Sequence, residues 1–141
     1  MSVKIEGLAE TIQALYAKEK TLESKIDVAI RSGAVKVLNE TQSLMKQSTK
    51  SGTEYKRGSK THTSSAPGQA PAVDTGTLVR SIQSLKSIYG DGWLVGTSIE
   101  YGKHLEFGTK NMSARPWLIP ALEKHRKAVY TSIQKAIKAS L

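Results

Sequence analysis

The sequence predicts an α+β fold: N-terminal helices, a small antiparallel β-sheet, and a C-terminal helix packed across the sheet. Three observations lead there. Apolar residues recur at helical spacing from Leu8 to Leu44, short glycine-bounded apolar runs fill 76–109, and helical spacing resumes after Pro116. A length of 141 residues suits one domain, so 1–141 is read as a single domain able to bury one core.

Leu8, Ile12, Leu15, Leu22, Ile26, Ala29, Gly33, Val37 and Leu44 return to one helix face. Lys18-Glu19-Lys20 interrupts that face, and Thr21 is a capping type. A short helix at 8–18 and a long one at about 21–48 are therefore expected. The long one would span ~40 Å, so one end should project or pack on a neighbour. Residues 51–74 change character: half of the 24 are Gly, Ser, Thr or Pro. Such a stretch does not offset its ordering entropy by burial. A long flexible arm or loop is expected at about 51–74, either a linker or an arm that orders against a partner subunit.

Ile82–Tyr89 and Trp93–Ser98 read as strands joined through Gly90-Asp91-Gly92, where glycine supplies the positive φ of a tight turn. Glu100–Phe107 is too short for periodicity to choose between helix and extended chain. Pro116 and Pro120 both suit a first helical turn. With Leu118, Leu122, Val129, Ile133 and Ile137, they place the last helix at about 117–139.

Composition narrows the function classes. There is no cysteine, which excludes disulfides, thiol nucleophiles and cysteine-ligated zinc. No apolar run reaches the ~18 residues of a membrane-spanning helix, and Met1-Ser2-Val3-Lys4-Ile5-Glu6 lacks a signal peptide's apolar stretch. A soluble cytoplasmic protein, or part of an assembly built in the cytoplasm, is expected, without a membrane partner. The net charge is +9, with +2 over residues 1–50 and +6 over 75–141. That balance favours polyanionic partners.

Catalytic motifs do not develop. Asp74-Thr75-Gly76 matches the aspartic-protease triplet, but that chemistry needs two carboxylates and a strand-dominated fold. A turn in which Asp74 caps the following amides is the simpler reading. Residues 52–61 resemble a phosphate loop with the wrong glycine spacing and no strand before it. His62, His104 and His125 lie far apart, with no ligand pair on one helix turn, and read as surface imidazoles. No enzyme activity, cofactor or metal is expected. The basic residues of the last helix lack interleaved aromatics for base stacking, yet they keep a basic nucleic-acid-binding protein as the alternative function.

Three segments together carry a signature. Tyr55-Lys56-Arg57-Gly58 and Ser65-Ala66-Pro67-Gly68-Gln69-Ala70-Pro71 run into Asp74-Thr75-Gly76-Thr77-Leu78-Val79-Arg80. Tyr101-Gly102-Lys103-His104-Leu105-Glu106-Phe107-Gly108-Thr109 follows the hairpin, and Arg115-Pro116-Trp117-Leu118-Ile119-Pro120 opens the last helix. In this order the chain resembles the tail-completion, or head–tail joining (neck), protein family of long-tailed bacteriophages. Trp117 departs from the phenylalanine expected there.

The resemblance implies a structural virion protein without catalysis, located in the tail or neck and assembled in the host bacterial cytoplasm. It implies a homo-oligomeric ring between the phage connector and the tail-tube or tail-terminator proteins, with DNA passing through the lumen as a candidate contact. Completion and terminator roles both stay open. The candidate interface residues are Tyr55, Arg57 and His62 on the arm as donor, and Glu106, Phe107, Arg115 and Trp117 as acceptor. Glu106 is expected to pair with Arg115 or with Arg57 of a neighbouring arm. Trp93 and Trp117 read most simply as core residues; for Trp117 an interface anchor is the other reading and the favoured one, because Leu118, Leu122 and Val129 already supply a buried stripe.

Overall fold

The computed structural model describes residues 7–140 and has the expected α+β class. Its first element is a single helix, α1 (Leu8–Gln47), where two were expected. Thr21 does not cap a second helix. Its hydroxyl bonds back to the Ala17 carbonyl at 2.8 Å, a contact a helix interior accommodates. The polar stretch at 18–20 therefore interrupts only the apolar face, not the backbone ladder.

After α1 come β1 (Glu54–Arg57) and β2 (Lys60–Thr63), a short α2 (Thr77–Ser81), β3 (Gln83–Lys86) and β4 (Trp93–Gly96). α3 (Glu100–Phe107) and α4 (Ile119–Lys138) complete the chain. Two separate antiparallel ribbons, β1–β2 and β3–β4, take the place of the one small sheet. The 51–74 stretch is thus not structureless: Tyr55 pairs with His62 and Arg57 with Lys60 across a Gly58-Ser59 turn. The ribbon's mouth continues in backbone bonds, Gly52 N–H to Ser64 O at 2.8 Å and Ser64 N–H to Thr53 O at 3.0 Å.

Helix α4 lies antiparallel along α1. Lys124 meets Glu40 at 2.6 Å, Val129 packs on Gly33, and Lys25 reaches the Ala139 carbonyl at 3.1 Å. A Cβ on Gly33 would stand 2.5 Å from a Val129 methyl, so this glycine permits the close approach of the two helices. The β3–β4 ribbon leans on the same helix. Asp27 of α1 accepts from Lys86 at 3.1 Å and from the Trp93 indole at 3.2 Å, and Arg31 lies over the Trp93 ring. The Lys86 ammonium, then the indole, holds the Asp27 carboxyl below its ordinary range.

The core gathers where the C-terminal end of α1 meets α2 and the start of α4. Met45, Leu78, Val79, Ile82 and Trp117 are buried together, with Leu38, Val73, Val95, Leu105 and Leu118 packed around them. Burying such a side chain contributes roughly 1.5–3 kcal/mol. At the opposite end, α1 runs on past the end of α4 by about 25 Å from Lys25 to Leu8, at ~1.5 Å per residue. Every residue from Gly7 to Thr21 is exposed there, including Leu8, Ile12, Leu15 and Tyr16. No helix among the described residues is long and apolar enough to cross a membrane.

Gly33→Ala should lower the melting temperature by a few degrees. The overpacking cost of about 1–3 kcal/mol exceeds the ~1 kcal/mol gained in helix propensity. In a Val129→Ala background, the same substitution should raise it. A thermal melt of the four-member cycle checks the reversal of sign.

Glu40 gives a pH test. The Lys124 ammonium, with smaller help from His125, holds its carboxyl below the ordinary 4.5. A depressed folded value contributes stability that is present above that ordinary value and is lost as pH falls through the folded one. Melts from pH 7 down to 3 should show a flatter acid limb in Glu40→Gln than in the parent chain.

Candidate functional site

A helix leaves its first four N–H groups without internal partners. α4 has no capping side chain of its own at Leu118. Glu106, near the end of α3, supplies what is missing. One carboxylate oxygen accepts from Trp117 N–H at 2.7 Å and Leu118 N–H at 2.9 Å, and the other accepts from Ile119 N–H at 2.9 Å. Its charge also faces the positive end of the α4 dipole. Glu106 is only 6% exposed, so these bonds form away from water. The expected ion pair of Glu106 with Arg115 within the subunit is replaced by this backbone cap. A carboxylate surrounded by amide donors needs no cation.

The same corner settles Trp117. It is 2% exposed, and its indole N–H donates to the Gly102 carbonyl at 3.0 Å. Gly102 makes room for it: a Cβ there would lie 2.8 Å from Thr97 and 3.4 Å from the Trp117 ring. Trp117 is thus a core residue and offers no surface to a partner, contrary to the expected anchor role. The stripe thought to make it superfluous is thinner than the spacing implied, since Leu122 is 48% exposed. Phe107, by contrast, is 67% exposed and stays on the surface.

Arg115 ties this corner to the segment before α2. Its backbone N–H donates to Leu105 O at 2.7 Å, and its Nε donates to the Ser65 carbonyl at 3.1 Å. Its guanidinium pairs with no carboxylate among the described residues.

The hairpin residues form a second group. Tyr55 and His62 stand opposite one another in register and stack, with ring centroids 5.9 Å apart. Asp74 receives the Arg57 guanidinium at 2.7 Å and His62 Nδ1 at 2.7 Å, with the Tyr55 hydroxyl at 3.4 Å. The carboxylate therefore clasps the β1–β2 ribbon instead of capping its own turn. Thr75 Oγ1 faces the Thr77 amide in its place.

The two groups border one cavity of about 690 Å³. Tyr55, Arg57 and Asp74 line one side, Tyr101, Leu105 and Arg115 another, and Met45, Leu78 and Val79 form apolar walls. Ser65 also lines it, and its buried hydroxyl has no hydrogen-bond partner among the described residues. Concave, mostly apolar sites with a few polar groups are where ligands and partner side chains seat. Among the described residues, no group of three or more His, Cys, Asp or Glu is placed to hold a metal ion.

Sequence reasoning named six of the residues in these groups, Tyr55, Arg57, His62, Glu106, Arg115 and Trp117, but not Asp74 as the hub of the hairpin group, Ser65, or Met45. The Asp74-Thr75-Gly76 turn was visible; which cation the aspartate would meet depended on a hairpin 11 to 20 residues earlier.

Glu106→Ala should destabilise the chain by about 3 kcal/mol, since charge-assisted bonds to buried amides are lost together. Arg57→Ala should cost less than about 1 kcal/mol, because that guanidinium is largely exposed. Denaturant titrations of both variants beside the parent measure the contrast.

The chain matches no family model, no curated protein and no solved structure.

Proposed function

We propose that the chain is a structural virion protein of a tailed bacteriophage, acting in tail completion and head–tail joining as a subunit of a ring at the neck. The observation that carries this reading is the meeting of its signature segments. The Ser65 segment, the Gly102–Glu106 segment and the Arg115–Ile119 segment are bonded to one another around Trp117. The residues behind the resemblance therefore act as a unit, and they do so as a scaffold: capping a helix, seating an indole and bracing a loop.

The exposed surface supports the same reading. A helix overhang carrying Leu8, Ile12, Leu15 and Tyr16, and a β3–β4 ribbon showing Leu85, Ile88, Tyr89 and Leu94, are liabilities in a lone chain. Ring neighbours and the flanking connector and tail-tube or terminator proteins would cover them. The outward face of α4 carries exposed Arg126, Lys127, Lys135 and Lys138, with Glu123 the one acidic residue of that helix. That face favours DNA as a contact within the ring, and it is also what sustains the alternative of a basic nucleic-acid-binding protein.

Phage particles produced without this chain should separate into filled heads and unjoined tails, and adding the purified protein to that lysate should restore joined virions. Electron-microscope counts read the result. Normal virions without the chain would refute the proposal. A DNA titration showing tight binding near physiological salt, with a steep salt slope, would favour the nucleic-acid alternative.

A further inference from the structure

We infer that the exposed overhang of α1 on one copy inserts into the cavity between Arg57 and Arg115 on the next. This deepens the ring reading and rests on it for its setting, while the contact itself is argued from geometry and charge.

The overhang is a ready insert. Leu8, Ile12, Leu15 and Glu19 share one helix face at spacings of four, three and four. All four are exposed, and Glu19 makes no ion pair among the described residues. A carboxylate thus stands within an apolar stripe. Residues 7–24 hold three acidic and two basic groups, a net acidic segment in a chain of net charge +9.

The cavity offers the complement. Met45, Leu78 and Leu105 give apolar walls, and the Arg115 guanidinium has no carboxylate partner among the described residues. Two or three helix knobs fill a space of about 690 Å³, with Glu19 reaching Arg115. This is helix-in-groove recognition, with anchors spaced by three and four.

The chain's own overhang does not reach its own cavity, so the insert comes from another copy. Leu15 and Met45 lie on the same helix, 30 residues apart, so α1 itself separates the stripe from its own chain's cavity by about 45 Å. A contact that joins one end of a subunit to the other end of the next is heterologous, and repeated it generates a ring or a filament. The helix sets both the polarity and the spacing of that repeat.

The test uses the absence of native cysteine. Full-length Leu15→Cys and Thr77→Cys chains, the latter at the exposed cavity rim, are mixed and oxidised at high concentration. The expected product is the mixed Leu15–Thr77 dimer, at least tenfold over either homodimer and over a Leu15–Lys127 control made with Lys127→Cys. Adding Glu19→Arg should cut that yield at least tenfold, and adding Arg115→Glu on the other chain should restore it. Circular dichroism establishes that each variant folds. If Arg115→Glu does not fold, Ile12→Asp on the exposed overhang replaces it and should abolish the product. Mixed and homodimer yields in statistical proportion, or no product from the parent pair, would overturn the contact. Failure of the ring reading looks different: the crosslink forms as described, while the purified protein does not restore joined virions.

Discussion

The fold depends on one carboxylate. Glu106 closes the N-terminus of α4 by accepting three backbone N–H bonds, and everything that defines the functional corner is positioned through it. Pro116 supplies no donor, and Pro120 sits in the first turn where none is needed. The remaining amides would be orphaned in a buried place, at a cost comparable to a lost hydrogen bond for each. With the cap in place, Trp117 is delivered into the core and its indole finds the Gly102 carbonyl. The α3–α4 turn then carries Arg115 to Ser65, and the cavity acquires its polar edge.

The second organising element is α1. It contacts α4 and both strands of the β3–β4 ribbon, so separate layers share one rod. The contacts along it change character with position. Near Met45 they are buried and apolar; at Gly33 they depend on the absence of a side chain; at Asp27 and Glu40 they are charged and partly wet. Surface ion pairs contribute little individually. The rod's attachment is therefore strongest at its C-terminal end and falls away toward the overhang.

The parts of this architecture that were legible in the sequence are those set by periodicity and by glycine or proline chemistry. α4 begins within two residues of its expected start, because Pro116 and Pro120 restrict where a helix can open. β3 and β4 lie inside the runs that flank Gly90-Asp91-Gly92. The β1–β2 hairpin was not legible, since its strands carry no apolar alternation; Gly58-Ser59 was the one local signal. Its order comes from Asp74, a partner distant in sequence. Glu106 escaped for a related reason. Charge bookkeeping looks for a cation, whereas the partner was a helix end, and a helix end exists only once the chain has folded.

Trp117 shows how these two kinds of information combine. From sequence, a tryptophan beside two prolines is a rigid apolar anchor free to face either way. Burial at 2%, with its one donor satisfied internally, commits it inward. The chain's apolar surface for partners then has to come from elsewhere: the α1 overhang, the β3–β4 ribbon with Leu85, Ile88, Tyr89 and Leu94, and Phe107 and Tyr101 of α3. A core concentrated at one end of a forty-residue helix leaves the other end unsupported by its own chain. Helices in proteins gain most of their stability from packing an amphipathic face, so in the proposed ring a neighbour would supply the packing that this end lacks. On the proposed function, folding and assembly thus use the same helix: its last turns close the subunit's core, and its first turns are left for the ring.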